Sequence, residues 1–241
     1  MKYSIIIPTL NEEKLLPGLL ESLSDPVLKI KYDFEVIVSD NGSSDSTLEI
    51  AREYSDQVLC REDGQARSIS ACRSKGAQHA CGSILLFINA DVRIDIEKIL
   101  SMVEEKFVPS DYVAMTCPIK CVPELENFKD KWFSTIVNSY YYFSNLIGLG
   151  IARGEFQLIR RHIYEAVGGY KEGMVVGEDY ELFTRIRKHG RVWFSWDIMV
   201  YESPRRYRSW GYFRTVFVWL STSMGPWFRK KPSYKDWEQI R

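Results

Sequence analysis

Residues 84–91 read Ile-Leu-Leu-Phe-Ile-Asn-Ala-Asp, five large apolar side chains followed by a polar end. A short continuous apolar run of this kind predicts a buried strand, here Ile84 to Ile88. A helix is predicted immediately before it, over about residues 67 to 81. Asn89 and Asp91 then follow the carboxyl end of the strand. This order predicts a parallel sheet with crossover helices, an α/β fold.

The same order of strand, polar loop and helix occurs twice nearer the N-terminus. Ile5 to Pro8 form a β-branched apolar run, and leucines at helical spacing follow from Leu15 to Leu23. Glu35 to Ser39 predict a second strand, with a helix from Asp45 to Tyr54 after a turn. Open α/β sheets bind ligands at the carboxyl ends of their strands. The loops expected at that edge are Thr9 to Glu12, Asp40 to Ser44 and Asn89 to Asp91.

The pattern changes after about residue 110. Tyr112 to Pro118 are strand-like, and a charge-free, aromatic-rich segment runs from Trp132 to Ala152. Its length suits a membrane span, but Asn138 and Asn145 make it too polar for a lipid-facing helix. We therefore predict a buried or membrane-surface helix there. Val192 to Tyr201 predict a final strand.

The composition narrows the class of protein. The chain has 241 residues, of which 45% are hydrophobic, enough for a buried core. Lys plus Arg and Asp plus Glu number 32 each, so no overall field favours nucleic acid, and none is expected as a partner. The first apolar run is too short for a signal peptide, so we expect a cytoplasmic protein. The five cysteines lack zinc-site spacing and are expected to be reduced.

Acidic side chains at the strand ends are candidate ligands. Asp40 can accept a hydrogen bond from a base, and Glu12 can do the same or hold a ribose hydroxyl. Each has a structural alternative, since Glu12 can cap the next helix and Asp40 can form an Asx turn. Asp91 is placed to hold a divalent cation that bridges two phosphates, with Asn89 as a neutral oxygen ligand at best.

Two further groups of charged residues are candidates. Glu178 and Asp179 open a predicted helix, where acidic residues are also favoured by the helix dipole alone. Arg67 and Arg73 precede the strand that ends at Asp91, and either can reach a phosphate. A solvated helix face is the alternative for these arginines.

Four motifs, in order, resemble the inverting family 2 glycosyltransferases. Residues 4–12 are similar to the family's opening strand and loop, and residues 38–47 to its second strand end, which contains Asp, Gly, Ser, Asp and Thr. Residues 72–91 are similar to the helix and strand that lead into its Asp-x-Asp signature. Residues 168–185, with Gly-Glu-Asp at 177–179, resemble its acceptor-side motif. The resemblance covers roughly residues 3 to 200.

The resemblance implies a GT-A fold, a nucleoside diphosphate sugar donor, Mn²⁺ or Mg²⁺, a glycan or lipid-linked acceptor, and inversion. Residues 1–110 would form the donor lobe and residues 111–241 the acceptor lobe, packed as one unit. The carried-over roles are nucleoside binding by Pro8, Leu10, Glu12 and Asp40, metal binding by Asp91, and general base catalysis by Asp179 beside Glu178. Asn89 departs from the family pattern, in which many members have aspartate.

Two other classes of protein stay open on the sequence. Nucleotidyltransferases share this fold and its metal-binding aspartate, although they usually begin with a glycine-rich basic loop that is absent from Pro8 to Lys14. A non-catalytic module that keeps the nucleotide pocket is the second alternative, for which Asn89 is the only indication.

The C-terminal tail is basic and aromatic from Arg205 onward. Interleaved arginine, tyrosine and tryptophan suit a lipid headgroup region, so we predict peripheral contact with a membrane. The alternative is that the aromatics close the acceptor lobe and the arginines form a solvated rim.

Overall fold

The computed structural model describes residues 1–62, 67–171, 174 and 177–216. The strands are β1 (Tyr3–Thr9), β2 (Phe34–Asp40), β3 (Gln57–Cys60), β4 (Ile84–Ile88), β5 (Val92–Arg93), β6 (Ala114–Thr116), β7 (Ile119–Cys121), β8 (Phe156–Arg160), β9 (Val192–Phe194) and β10 (Val200–Glu202). The helices are α1 (Leu16–Leu23), α2 (Pro26–Tyr32), α3 (Thr47–Tyr54), α4 (Ile69–His79), α5 (Ile96–Met102), α6 (Phe128–Leu146), α7 (Arg161–Ala166), α8 (Glu178–Ile186) and α9 (Arg205–Trp210). A π-helical turn, Val103–Phe107, continues α5.

A large sheet of seven strands has the order β3-β2-β1-β4-β8-β6-β9. Its first four strands are parallel, so the predicted parallel sheet with crossover helices is confirmed. β8 runs antiparallel to both β4 and β6, and β9 is parallel to β6. A small sheet has the order β5-β10-β7. The large sheet contains strands from both sides of residue 110, and the division into two lobes stays a prediction.

The side chains of β1 alternate between two cores, one on each face of the large sheet. Ile5 and Ile7 pack on one face together with leucines of α1, and Ile6 packs on the other face with Phe87. Every residue of β1, β2 and β4 is buried. Strands covered on both faces have continuous apolar runs, which is why the sequence pattern identified these three.

Two parts of the sheet differ from the prediction. β3 was not predicted, because its apolar run, Val58 to Cys60, is only three residues long and is half-exposed to exposed. The single strand expected over Val192 to Tyr201 was wrong. The chain forms β9 in the large sheet, turns where the Asp197 N–H donates to Ser195 Oγ (3.3 Å), and forms β10 in the small sheet. Alternating polarity does not show which sheet a strand joins.

The charge-free segment forms α6, which begins earlier and ends earlier than expected. Phe133, Val137 and Tyr141 are buried on one side of this helix. Asn138 lies on that side too, where it accepts from the Ile119 N–H (3.0 Å) and donates to the Ile119 carbonyl (2.9 Å) of β7. Asn138, whose polarity argued against a membrane span, therefore forms hydrogen bonds with the backbone of β7. No helix in the described ranges has the length and apolar character to cross a membrane.

The opposite side of α6 carries a stripe of exposed apolar side chains, which we call the α6 stripe. Its members recur at helical spacing and continue past the end of the helix. They are Phe128, Trp132, Ile136, Tyr140, Phe143, Leu146, Ile147 and Leu149. Phe128 is 82% exposed and Ile147 is 73% exposed, so this surface has little cover from the described residues.

The described part of the C-terminal tail packs inward. Tyr207 is 2% exposed and stacks against Phe133 of α6, with ring centroids 4.9 Å apart. Arg208 and Tyr212 both donate to the buried carboxylate of Asp130, the latter over 2.6 Å. Tyr207 and Tyr212 thus pack onto the lobe, as the alternative expected, whereas Phe213 is 88% exposed. Contact of the tail with a membrane stays a prediction, and the tail residues from Phe217 onward lie outside the described residues.

Candidate active site

The loops after β1 and β2 are joined by neutral hydrogen bonds. The Asn11 N–H donates to Ser43 Oγ (2.8 Å), and the Ser44 N–H donates to Asn11 Oδ1 (2.7 Å). The Glu12 N–H donates to Thr47 Oγ1 (2.8 Å). Asn11 has a positive φ of 53°, a conformation that asparagine tolerates better than most residues. Adjacent parallel strands therefore bring the two predicted binding loops together.

Asp40 forms the Asx turn that was its structural alternative. Its Oδ2 accepts from the N–H groups of Gly42 and Ser43, each over 2.8 Å. Its Oδ1 accepts from the hydroxyls of Thr9 (3.0 Å) and Ser43. The side chain is 1% exposed, so both oxygens are committed to the loop, and base binding by Asp40 stays a prediction.

Asn41 is a candidate that the sequence did not reveal. It is 1% exposed, and within the described residues neither polar atom of its side chain has a hydrogen-bond partner. An unpaired buried amide costs about 1–3 kcal/mol, and native proteins pair nearly all such groups. Its one sequence signal was its place between Asp40 and Gly42. The base of a bound nucleotide is the kind of ligand that would form hydrogen bonds with this amide.

The other residues predicted for the nucleotide are spread more widely. Pro8 is buried near the end of β1, and Leu10 is half-buried in the loop beyond it. Arg67 is exposed before α4, and no ion pair of this side chain occurs within the described ranges. Their contacts with a nucleotide stay predictions.

Arg73 lies at the centre of a charged network. Its side chain is fully buried. Nη1 donates to Asp179 Oδ1 (2.7 Å) and to Glu178 Oε1 (3.3 Å), and Nη2 donates to Asn89 Oδ1 (2.9 Å) and the Gly154 carbonyl (2.8 Å). Both terminal nitrogens are thus committed to the protein. Arg73 positions Asp179, and the predicted contact with the diphosphate is not open to these atoms.

Asp179 is held by one oxygen. Its Oδ1 accepts from Arg73 and from Gln157 Nε2 (2.6 Å), and Gln157 in turn accepts from the Tyr170 hydroxyl. Asp179 Oδ2 has no hydrogen bond within the described ranges and lies beside Gly154, where a Cβ would come within 2.7 Å of it. A glycine at residue 154 therefore leaves this oxygen accessible.

The pKa values of Glu178 and Asp179 are both raised. Burial, and then the neighbouring Asp179 carboxylate, raise the pKa of Glu178 to about 8. Burial also raises the pKa of Asp179, against the opposing effect of Arg73. Closely spaced carboxylates share protons in this way. Burial thus favours the protonated form of both carboxyls, and the positive charge of Arg73 opposes this effect at each of them.

A second buried ion-pair group lies nearby and was not predicted. Arg153 Nε donates to Glu155 (3.1 Å), and its Nη2 donates to Glu202 of β10 (2.7 Å). Burial, opposed by Arg153, raises the pKa of Glu202 to about 7. Burial favours neutral Glu155, but Arg153 and Arg206 outweigh it and lower its pKa. These contacts bring β8 and β10 to the same edge as β4.

Arg205 joins the two remaining acidic candidates. Its Nη2 lies 3.0 and 3.2 Å from the two carboxylate oxygens of Glu12, and 3.1 Å from Asp91 Oδ2. Burial raises the pKa of Glu12, while Arg205 lowers it. The structure thus gathers Glu12, Asn41, Asp91 and Asp179 at the carboxyl ends of β1, β2 and β4.

Comparison with known proteins now decides the family. The model of the family described as "Glycosyl transferase family 2" matches residues 4–168, most of the chain. The chain belongs to glycosyl transferase family 2. This glycosyltransferase matches a 4,4'-diaponeurosporenoate glycosyltransferase of Staphylococcus haemolyticus at 30% identity, over 79% of the chain and 56% of the relative.

Further relatives and solved structures agree with this assignment. An undecaprenyl-phosphate 4-deoxy-4-formamido-L-arabinose transferase of Serratia proteamaculans is 27% identical, over 69% of the chain and 51% of the relative. The chain spans about half the length of the curated relatives it matches.

The solved structures support the fold alone, because their sequence identities are low. A mannosyltransferase of Pyrobaculum calidifontis with GDP-Man and Mn²⁺ superposes with a TM-score of 0.65 at 19% identity, over 97% of this chain and 66% of that one. A fragment of S. aureus TarS with UDP-GlcNAc gives 0.62 at 20% identity, over 84% and 58%. The glycosyltransferase has the GT-A fold of these neighbours.

The residues present do not fit the divalent metal that the GT-A fold suggests. Asn89 directs its carbonyl oxygen to Arg73, and Asp91 directs Oδ2 to Arg205. Mg²⁺ and Mn²⁺ prefer several oxygen ligands in octahedral geometry. Within the described ranges, no three His, Cys, Asp or Glu side chains cluster as such a site. The expected requirement for Mn²⁺ or Mg²⁺ stays a prediction that these contacts do not favour.

Proposed function

We propose that this chain transfers a sugar from a nucleoside diphosphate sugar to an acceptor, with inversion at the anomeric carbon. The observation that carries the proposal is the half-paired carboxylate of Asp179. One of its oxygens is fixed by Arg73 and Gln157, and the other lies open beside Gly154. A general base needs this combination of fixed orientation and a free oxygen.

The donor is placed by the loops after β1 and β2. Asn41 would pair the base, since its buried amide has one donor group and one acceptor to offer. Asp40 would hold the loop that presents Asn41. Glu12 lies close enough to the same loops for a ribose hydroxyl, through its backbone link to Thr47. Shape and hydrogen bonds would then position the nucleoside at this edge of the sheet.

The transfer step is a single displacement. Asp179 Oδ2 takes the proton of an acceptor hydroxyl as that oxygen attacks the anomeric carbon, and the bond from this carbon to the diphosphate oxygen breaks on the opposite face. The nucleoside diphosphate leaves with the electron pair of that bond. The raised pKa of Asp179 makes it a stronger base than a free aspartate. Attack opposite to the leaving group inverts the configuration.

The acceptor class decides whether a base is needed. A polyprenyl phosphate is already anionic and attacks without losing a proton, so Asp179 would then position rather than deprotonate. The Serratia relative is named for undecaprenyl phosphate, which supports a lipid-linked acceptor for this chain. A glycan hydroxyl is the alternative, and it requires the base.

A panel of donors tests the proposal. UDP-GlcNAc, GDP-Man and other nucleotide sugars are incubated with the protein, and release of nucleoside diphosphate is followed. We expect release from at least one donor, and a product of inverted anomeric configuration by NMR once an acceptor is found. Asp197→Asn, at an exposed aspartate paired with Lys106, serves as a control with unchanged activity.

Other outcomes of the panel separate the alternative classes. Release of pyrophosphate from a nucleoside triphosphate and a sugar phosphate would show a nucleotidyltransferase. Tight binding of a nucleotide without any turnover would show a binding module. Either result would contradict the transferase proposal.

We also propose that the α6 stripe contacts a membrane that carries the acceptor. Large exposed apolar patches mark interaction surfaces, and aromatic side chains suit the interface of a bilayer. Lys129 and Lys131 are exposed beside Phe128 and Trp132, where they can meet anionic headgroups. The surface thus joins an apolar stripe to positive charge.

Flotation with anionic liposomes tests this surface. Each cation contributes about 1 kcal/mol at an anionic surface, so binding should be reversible and weakened by salt. Trp132→Ser with Phe143→Ser should reduce flotation at low salt. Val27→Ser with Ile30→Ser removes apolar side chains that are equally exposed on α2 and should leave flotation unchanged. No flotation of the intact protein at low salt would leave a soluble acceptor as the better hypothesis.

A further inference from the structure

We propose that the guanidinium groups of Arg205 and Arg206 supply the positive charge that the diphosphate leaving group needs, in the place where other GT-A enzymes use a divalent cation. This inference rests on the proposed donor, a nucleoside diphosphate sugar. It makes donor binding independent of added metal. The two arginines together carry the same charge as one divalent ion.

The first observation is the position of Arg205. One nitrogen, Nη2, bridges Glu12 and Asp91, the two carboxylates that lie at the ends of β1 and β4. Glu12 and Asp91 are 11% and 19% exposed at their side chains. A divalent ion bound to Asp91 Oδ2 would therefore lie against a guanidinium that already neutralises this oxygen. Two cations at such a distance repel each other.

The second observation is the set of donors that Arg205 leaves open. All hydrogen bonds seen for this side chain, within the described residues, use Nη2. A guanidinium has five N–H donors in a planar fork that matches two oxygens of a phosphate. Nε and Nη1 are thus available to a diphosphate while Nη2 stays on the carboxylates. Arg205 is 28% exposed at its side chain, so a ligand can reach it.

Arg206 provides the second charge. It is exposed, and it has no hydrogen bond or ion pair in the part of the chain that the structure describes. In α9 it directly follows Arg205, whose side chain reaches Glu12 and Asp91, and its charge lowers the pKa of the nearby buried Glu155. An unpaired cation beside this acidic centre is placed to meet an incoming diphosphate.

The third observation concerns the residue that should complete a metal site. Asn89 offers one carbonyl oxygen, and Arg73 holds it over 2.9 Å. An amide in place of a carboxylate also removes one negative charge from the site. Fewer anionic ligands lower the affinity for a divalent ion. Arg205 and Arg206 thus place positive charge at the same sheet edge at which Asn89 lowers the affinity for a divalent ion.

Calorimetry with UDP and GDP tests the inference on the intact protein, in EDTA and in Mn²⁺. For the nucleotide that binds, we expect less than about threefold difference in Kd between the two buffers. Arg205→Ala should weaken binding in EDTA by about 10- to 100-fold, the scale of a lost charged hydrogen bond. The nucleoside alone should bind both proteins equally, because it lacks the diphosphate.

Two further variants sharpen the result. Arg205→Lys keeps a charge and should retain most of the affinity. Arg205→Ala also frees Glu12 and Asp91, so Mn²⁺ should now improve binding, which a structural role alone would not cause. Arg206→Ala should weaken binding in EDTA by about tenfold. Arg93→Ala, at an exposed pair with Glu124, should change nothing, and circular dichroism checks that each variant is folded.

The opposite results would overturn the inference. Wild-type binding that is more than about tenfold weaker in EDTA would show a metal requirement. Arg205→Ala and Arg206→Ala variants that bind like the wild type would show that these arginines do not meet the diphosphate. If UDP, GDP and the other common nucleoside diphosphates all fail to bind in either buffer, the proposed donor class itself is refuted, a result distinct from arginine variants that bind like the wild type.

Discussion

The loops that follow β1 and β2 are held mainly by hydrogen bonds from backbone N–H groups and hydroxyls, whereas the centre around Arg73 is held by buried ion pairs. In the loops, the hydrogen-bond donors are backbone N–H groups and hydroxyls, and Asp40 alone accepts four such hydrogen bonds. In the charged centre, one arginine satisfies two carboxylates and an amide. Loss of one partner leaves a small defect in the loops and an uncompensated buried charge in the centre.

Under the proposed function, this difference separates two tasks of one site. The loops would present a fixed shape to the nucleoside, and many weak hydrogen bonds supply that shape. The centre would present one carboxylate with a free oxygen, and burial beside Arg73 gives that carboxylate a raised pKa. We expect variants of the centre to lose catalysis and stability, and variants of the loops to lose mainly affinity.

The largest effect is expected from Asp179→Asn. The change keeps the shape and the acceptor oxygen for Arg73 and Gln157, but it removes the base. Turnover with a hydroxyl acceptor should fall by about 10² to 10⁴, the usual contribution of a general base. Donor affinity, measured by calorimetry, should stay the same. Normal turnover with a hydroxyl acceptor would place the base elsewhere, and normal turnover with a phosphate acceptor alone would support the anionic nucleophile.

Arg73→Met tests the stability of the centre. It keeps an unbranched apolar stem but leaves Glu178 and Asp179 buried without their cation. The free energy of unfolding should fall by about 3–5 kcal/mol in urea titrations at neutral pH. Arg93→Met, at a pair whose two side chains are about 60% exposed, is the matched control and should change stability by less than about 1 kcal/mol. Similar values for both would show that burial does not set the strength of these pairs.

Two loop variants distinguish residues that stabilise the loop from residues that bind the nucleotide. Asp40→Asn can keep its oxygen on the two backbone N–H groups, as asparagine does in Asx turns. It places an N–H₂ group toward the hydroxyls of Thr9 and Ser43, which now donate to Asp40, so stability should fall by about 1 kcal/mol. Asn41→Ala removes an amide that has no partner in the described residues, so stability should hold while nucleotide affinity falls. Urea titration and calorimetry give the two readings. An Asn41→Ala protein with full affinity would return base recognition to Asp40.

A separate effect is expected in the pH dependence of stability. The pKa of Glu178 is about 8 in the folded protein and close to 4.5 when unfolded, so the folded state binds the extra proton between these values. The contribution to stability is complete below pH 4.5 and is lost as the pH rises through about 8. Glu178→Gln should flatten this decline relative to the wild type. Equal slopes for the two proteins would mean that Glu178 is ionised when buried.

The parallel half of the fold was predictable because its signal is local. β1, β2 and β4 are buried on both faces, and each is a continuous apolar run that ends in polar residues. β3 was missed since its half-exposed residues give no such run. The segment from Val192 to Tyr201 was read as one strand because hydrophobicity does not report a change of sheet.

The candidate site was predictable only in part, for a related reason. The sequence predicted Asp91, Asp179 and Arg73 as candidates, but not the pairing of Arg73 with Asp179 or of Arg205 with Asp91. Arg205 is 193 residues from Glu12 in sequence, and no local pattern links two charges at that separation. Asn41 could not be predicted for another reason. An unpaired buried amide is recognised only when the hydrogen bonds of all neighbouring groups in the structure are known.

The direction of β8 has a consequence for which part of the chain can vary. β8 runs antiparallel to β4, so its first residue, Phe156, lies at the same edge as Ile88, the last residue of β4. The chain leaves the large sheet after β6, passes through β7 of the small sheet and α6, and re-enters the large sheet at that edge. The segment between β7 and β8 contributes no strand to the large sheet, so its exchange would leave β1, β2 and β4 in place. Under the proposed function, grafting residues 122–152 from a relative should change the acceptor and keep the donor.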